Sequence, residues 1–430
     1  MYRGVRQLQP GHLLVWEEGR GITSERRYWS PPERTETATD AFGELTAETV
    51  RLLRASLQRT LLSDVPLGLF VSGGVDSGLI AALARELLDE PPLSFSVGYD
   101  VGRVSEIAPA RQLAEALGTR HHEVVLSGAD VARAAPEVFG KIGQPIADQA
   151  FLALHGLARY AREHVTVAIG GHGADELFGG YPRYRWIRRA EQLQERVPPG
   201  LTSFAASTLS RAGDRRLRRL GDVVDRRDTI ERHLDWVTSE RRHARAQLYG
   251  ARLAELAASD HAVEGLRPYF CGNGAPGASD AHQLMRLDQL HWLPDDVLFM
   301  ADRSTMLASL ELRTPFLSRE LAEFAASVPM RVHQGFSGKS LLRSALTRYL
   351  PRSMVLRRKV AFRAPGAEWL RGPLGPLLDE QALQGRLCQD GWFSADAVAG
   401  LVREHRAGAD HSATLWPLLT LALWLEGRPA

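Results

Sequence analysis

Ser72-Gly73-Gly74-Val75-Asp76-Ser77 brings together residue types that could do chemistry at close spacing. Two adjacent glycines let the backbone turn tightly with its N–H groups gathered in one concavity. A helix starting there adds its own unsatisfied N–H groups and a positive dipole end. That is a seat for an anion. Ser72 and Ser77 add hydroxyl donors, whereas Asp76 has the wrong charge to touch a phosphate and the right charge to hold a magnesium ion that does. The expected ligand is a metal-bound pyrophosphate. No Lys follows the second glycine, so the spacing is not that of a Walker-type P-loop. A second stretch, running from Gly170-Gly171-His172-Gly173-Ala174-Asp175 to Gly180-Tyr181, stands in the same place relative to its own apolar run. Two such ends can face one ligand: Asp175 would approach Asp76 across the pyrophosphate and complete the Mg2+ site, with Gly170 and Gly171 lending backbone. Val71 and Val97, at strand ends, are placed to line an adenine pocket.

These turns need elements to carry them. Apolar periodicity predicts a helix over 41–62 and another over 77–88 after a strand at 67–71. Strands follow at 93–97, 122–126 and 165–169, with helices at 107–117, ended by Gly118, and at 151–163. The alternation predicts an α/β fold, a doubly wound parallel sheet whose ligand site lies at the strand carboxyl ends. Residues 1–45 read as a β-hairpin and linker, 46–185 as the nucleotide-binding lobe, and 186–430 as a large helical portion. Arg-rich residues 183–245 read as solvated amphipathic helices, and 390–425 as terminal helices.

Composition narrows the partners. Fifty-three basic against 51 acidic residues leave a net charge of +2, which gives no global drive toward nucleic acid or membrane. Cys271 and Cys388 lie far apart without metal-ligand spacing, and no signal segment or membrane-length apolar run is present, so a cytoplasmic location is expected. The lysines are Lys141, Lys339 and Lys359, against a background of Arg. A Lys kept in such a chain points to a need for a compact ammonium charge.

SGGVDS, FSVG at 95–98, His121-His122-Glu123 and GADELFGGY at 173–181 resemble the synthetase domain of the asparagine synthetase family. So do LPDD at 293–296, Asp302-Arg303-Ser304, LELRTPFL at 310–317, Gly338-Lys339 with Leu342-Arg343, and 357–362 with Trp369. The resemblance covers nearly the whole chain. It implies an adenine-nucleotide α-hydrolase (PP-loop ATPase) sheet with a helical second half, and chemistry in which ATP and Mg2+ convert a carboxylate to an acyl-adenylate that ammonia or an amine attacks. It makes Lys339 the candidate for offsetting charge on the departing pyrophosphate, with Lys359 a weaker one. Asp302 and Arg303 read as a structural ion pair.

Two departures stand out. The opening Met1-Tyr2-Arg3 has no Cys after the initiator Met, so the resemblance implies that the family's N-terminal glutaminase domain is lacking. Nitrogen would then come from a separate glutaminase chain, from free ammonia or from an amine. His172 stands where the asparagine synthetases have a Glu, while β-lactam synthetase-type relatives have a Tyr there, paired with a Glu that corresponds to Glu311. His172 oriented by Glu311 is therefore expected to deprotonate an attacking amine. The function expected is that of an ATP-dependent, AMP-forming carbon–nitrogen ligase. Its alternatives are an amide or lactam synthetase of a specialised pathway, or the synthetase subunit of a two-chain amidotransferase. A PP-loop enzyme acting on RNA is disfavoured by the missing Cys pairs and basic clusters.

Overall fold

The structure is a computed structural model that describes residues 4–33, 41–101, 106–196, 208, 229–238, 242–270, 280–335, 338–357 and 364–428. Lys359 and Cys271 lie outside the described residues, as do much of the Arg-rich stretch and most of 357–362. The first elements are an antiparallel hairpin, β1 (His12–Glu17) and β2 (Gly21–Arg27), tethered to the body where Trp29 Nε1 donates to Glu323 Oε1 at 3.3 Å. Then come α1 (Phe42–Thr60), β3 (Leu67–Phe70), α2 (Val75–Leu87), β4 (Leu93–Tyr99), α3 (Ile107–Leu117) and β5 (Arg120–Leu126). They are followed by α4 (Gly128–Lys141), α5 (Ala150–Arg162), β6 (Val167–Ile169), α6 (Ala174–Phe178) and α7 (Pro182–Arg196). A final strand, β7 (Glu311–Arg313), comes much later in the chain.

The five strands β3–β7 form one parallel sheet in the order β5-β4-β3-β6-β7. The chain leaves β3 toward one edge and returns to fill the other, so the strand order reverses between β3 and β6. Open α/β sheets place their ligand crevice at that reversal, outside the strand carboxyl ends. The doubly wound reading therefore holds, with a fifth strand that the sequence did not announce. The boundary expected at 185/186 is crossed by the sheet itself, because β7 hydrogen-bonds to β6.

Both faces of the sheet are covered. Phe95 and Phe151, with Trp369 and Trp416 from the C-terminal part, fill one side; Leu53, Leu79, Phe178 and Phe316 fill the other. Each such fully buried Phe or Leu contributes roughly 1.5–3 kcal/mol. The terminal helices expected in 390–425 are Ala395–Arg406 and Ser412–Glu426. The second of these docks on α4, beyond whose end Trp424 Nε1 donates to the Ile142 carbonyl at 3.0 Å. Ser127 and Asp130 cap α4 reciprocally, a pairing that closes two open N–H groups at its start.

Candidate active site at the strand reversal

Gly73 has φ +69°, and a Cβ there would lie 2.6 Å from Pro109 Cβ, so the turn after β3 admits no side chain at that position. The turn is closed from within: Ser72 N–H donates to Ser77 Oγ at 3.2 Å, and the two hydroxyl oxygens stand 3.3 Å apart. Gly74, in extended conformation, caps α2, whose first-turn N–H groups of Val75, Asp76 and Ser77 have no acceptor within the helix. Backbone N–H groups thus gather at the start of α2, where the sequence led us to expect an anion seat.

The loop after β6 approaches this seat closely. A Cβ on Gly171 would come within 3.0 Å of Asp76 Cβ and 3.4 Å of the Ser77 nitrogen. Gly170 N–H donates to the Arg313 carbonyl at 2.9 Å, which fixes where the loop leaves the sheet. Asp175 then falls in the first turn of α6, facing Asp76.

Lys339 joins the two carboxylates. Its Nζ donates to Asp76 Oδ2 at 2.6 Å and stands 2.7 Å from Asp175 Oδ1, and the side chain is only 4% exposed. Lys339 adopts a left-handed backbone, φ +55°, just before the helix Ser340–Leu346. A non-glycine residue held this way costs on the order of 1–3 kcal/mol, so its surroundings must impose it. They do so through three contacts: Lys339 N–H donates to the Phe178 carbonyl, Gly338 N–H to the Gln334 carbonyl, and Arg343 spans from the Gly338 carbonyl to that of Val355.

Whether this set suits a divalent cation can be judged from the donors. Asp76 Oδ1 is buried and has no hydrogen-bond partner, leaving one carboxylate oxygen available. Among the described residues no group of three or more His, Cys, Asp or Glu is arranged to hold a metal. Two carboxylates fit Mg2+, which takes one or two from protein and the remainder from phosphate oxygens and water.

Other expected residues are placed differently. The register pairs Val167 with Glu311 and Ile169 with Arg313, so Glu311 enters at the amino end of the strands, whereas His172 follows the carboxyl end of β6. Side chains alternate along β7. Leu312 points toward Gly170, over which the His172 ring also packs, while Glu311 points to the other face and meets Arg313 at 2.7 Å. The register therefore sets Glu311 and His172 at opposite ends of the strands. Val71 and Val97 are subject to the same alternation. Phe70 pairs with Phe95, which puts Val97 on their face and Val71 on the opposite one, each buried in a different apolar cluster. The two side chains do not line one pocket. Asp302 and Arg303 do approach at 3.7 Å, but both are more than half exposed, so the pair lies on the surface.

A layer of buried polar residues lies beneath these. Glu176 is buried, accepts from Tyr181 OH at 2.6 Å, and has its pKa pushed up to about 7 by burial and by the neighbouring Asp175 charge. Arg183, expected to be solvated, is buried; it donates through Nε and Nη2 to Asp288 Oδ2 at 3.1 and 2.7 Å, and Tyr184 OH donates to the same oxygen. The Arg183 guanidinium also lies 4.0 Å over the Tyr181 ring. Asp288 opens a π-helical stretch, Asp288–Leu298, from which Gln289 donates to the Glu176 carbonyl at 3.0 Å. The network braces α6, and with it Asp175. Glu176 and Tyr181 were visible in the GADELFGGY motif; nothing local marked Arg183 or Asp288.

No helix among the described residues is long and apolar enough to cross a membrane. The chain is 33% identical over 442 residues to a protein of Mycobacterium tuberculosis named as an asparagine synthetase, glutamine-hydrolysing, covering 99% of this chain and 64% of that one. It is 29% identical over 426 residues to an asparagine synthetase, also named glutamine-hydrolysing, of Bacillus subtilis, covering 98% and 65%. The chain thus spans somewhat under two thirds of the length of these relatives. A solved ammonia-dependent NAD synthetase from Campylobacter jejuni aligns with 46% of the chain and 98% of its own, at 15% identity and a TM-score of 0.23. The asparagine synthase family pattern matches residues 48–426, from α1 through the last helix and across every residue of the cradle, and the chain belongs to that family.

Proposed function

We propose that this chain is an ATP-dependent, AMP-forming carbon–nitrogen ligase that activates a carboxylate as an acyl-adenylate and passes it to ammonia or an amine. The observation that carries the reading is Lys339 Nζ set between Asp76 and Asp175 at the strand reversal, beside an anion seat built of backbone N–H groups. The α2 first turn and the Ser72 and Ser77 hydroxyls bind the β- and γ-phosphates. Asp76 and Asp175 hold Mg2+, which when bound neutralises charge building on the pyrophosphate as it leaves. Lys339 offers an ammonium to the same oxygens from a flexible stem, an electrostatic contribution made where charge develops.

Glu311, the carboxylate expected to orient His172 toward an amine, enters at the opposite end of the strands. We therefore assign it to the acyl half of the reaction, on the loop that also carries Gly170 and Gly171. The relatives named above are described as glutamine-hydrolysing; here ammonia or an amine is the proposed nucleophile, delivered free or by a separate glutaminase chain.

The test is ATP turnover with a panel of small carboxylates, aspartate first, and ammonium as nucleophile. AMP and pyrophosphate are the expected products; ADP would refute the reading. Asp76→Asn should abolish carboxylate-dependent exchange of pyrophosphate into ATP while leaving the melting temperature within a few degrees. His172→Ala should lose that exchange as well. If exchange survives and only amide formation slows, by the roughly 100- to 10,000-fold typical of a lost general base, His172 serves the nucleophile instead.

A further inference from the structure

We infer that the Lys339 ammonium is an internal placeholder for the divalent cation: Lys339 and a metal bridging Asp76 and Asp175 exclude one another, and nucleotide binding exchanges one for the other. This rests on the assignment of Asp76 and Asp175 to the metal. Lys339 Nζ lies 2.6 Å from one carboxylate and 2.7 Å from the other, which puts a positive charge at the position a bridging cation would have to take. Mg2+ binds carboxylate oxygen at about 2.0–2.1 Å, so the ammonium and the ion cannot share the gap.

The surroundings leave the ammonium little freedom while it is there. Lys339 Cε is hemmed in by Gly180, where an added Cβ would lie 2.9 Å from Asp175 Cγ and closer still to Asp175 Oδ1 and to Lys339 Cε. The backbone of Lys339 is pinned by the left-handed turn, so exchange must occur by rotation of the side-chain stem alone. Triphosphate oxygens supply what the stem needs on leaving: a second anionic partner for Nζ, and the extra ligands that two carboxylates cannot give a metal. One cradle thereby keeps its two acids neutralised in both states, and a bare divalent ion gains little by entering without nucleotide.

The experiment measures Mn2+ binding to the full chain by the electron paramagnetic resonance signal of the free ion, with no nucleotide present. Lys339→Met should bind Mn2+ at least about ten-fold more tightly than wild type. Lys339→Gln, which keeps amide donors for the two carboxylates and so protects the fold, should show a gain of the same sign. Adding Asp76→Asn to either variant should remove it. No gain in a variant whose circular dichroism is native, or a gain that survives Asp76→Asn, overturns the inference. A parallel titration of wild type with α,β-methylene-ATP separates the two levels. If Mn2+ then binds in an Asp76-dependent way but Lys339 variants show no gain, the placeholder alone is wrong. If it does not bind, the metal assignment beneath it is wrong too.

Discussion

Gly180→Ala tests the cradle with a single methyl group. The backbone at Gly180 is not in the left-handed region, so alanine is permitted there and the perturbation is steric. The new Cβ would lie 2.9 Å from Asp175 Cγ and nearer to Asp175 Oδ1 and Lys339 Cε, whereas side-chain carbons essentially never approach other atoms below 3.0 Å. Relief requires the carboxylate or the ammonium to retreat by about 1 Å, and a misplacement of that size costs a reaction on the order of 100-fold. Overpacking also destabilises, by about 1–3 kcal/mol, which the chain should survive. The assays are MgATP affinity by titration with a fluorescent ATP analogue, pyrophosphate release with the best carboxylate, and the melting temperature. The expected result is a release rate down about 100-fold with a melting temperature lower by only a few degrees. A folded Gly180→Ala protein that binds and turns over MgATP within about threefold of wild type would refute the claim that the gap between Asp175 and Lys339 is set this tightly.

Three further outcomes follow from the supporting contacts. Arg343→Ala frees the Gly338 and Val355 carbonyls and loosens the left-handed turn, so MgATP affinity should fall by about ten-fold, with partial recovery in Arg343→Lys, read by the same titration. Arg183→Met leaves the Asp288 carboxylate buried without its ion pair and should cost about 3–5 kcal/mol in urea unfolding, of which the double variant with Asp288→Leu regains part. His333 is buried against Phe178, its Nε2 2.9 Å from the Ala325 carbonyl, and burial drives its pKa down to about 4. The folded value lies below the unfolded one of about 6.5, so the neutral ring contributes stability that is complete above pH 6.5 and lost as pH falls through 4. That contribution is on the order of 3 kcal/mol, and unfolding curves of His333→Gln should lack this part of the acid slope.

What could be read from the sequence was whatever is local. Gly73 and Gly74 between an apolar run and a helical pattern specify a strand–turn–helix by themselves, and the same holds for 165–175, so both turns and the places of the two acids on them were legible. α4 went unread, and Pro136 stands inside its pattern. β7 was not legible either: Glu311-Leu312-Arg313 is too short to show a period, and it is a strand only because β6 offers it an edge. The parity of those three residues decided which way Glu311 faces, and a resemblance in motif carries no parity. Arg183 was hidden by its company, since among so many arginines in that stretch only Asp288, 105 residues away, distinguishes it.

The lateness of β7 and Lys339 bears on how the molecule is made. Asp76 waits for a partner 263 positions further on, and β6 keeps an unpaired parallel edge until residues 311–313 arrive. At about 5–20 residues per second, a ribosome takes roughly 10–30 s to get from α6 to the end of the helix that follows Lys339. Throughout that interval the nascent sheet exposes a strand edge that any other extended segment can pair with, and two facing aspartates repel each other across the turn. Pairings this distant in sequence also make for slow folding once the chain is released. The chain therefore lacks Lys339 between Asp76 and Asp175 for most of its synthesis, and fragments ending before residue 339 should be recovered aggregated or bound to chaperones instead of as a small folded domain.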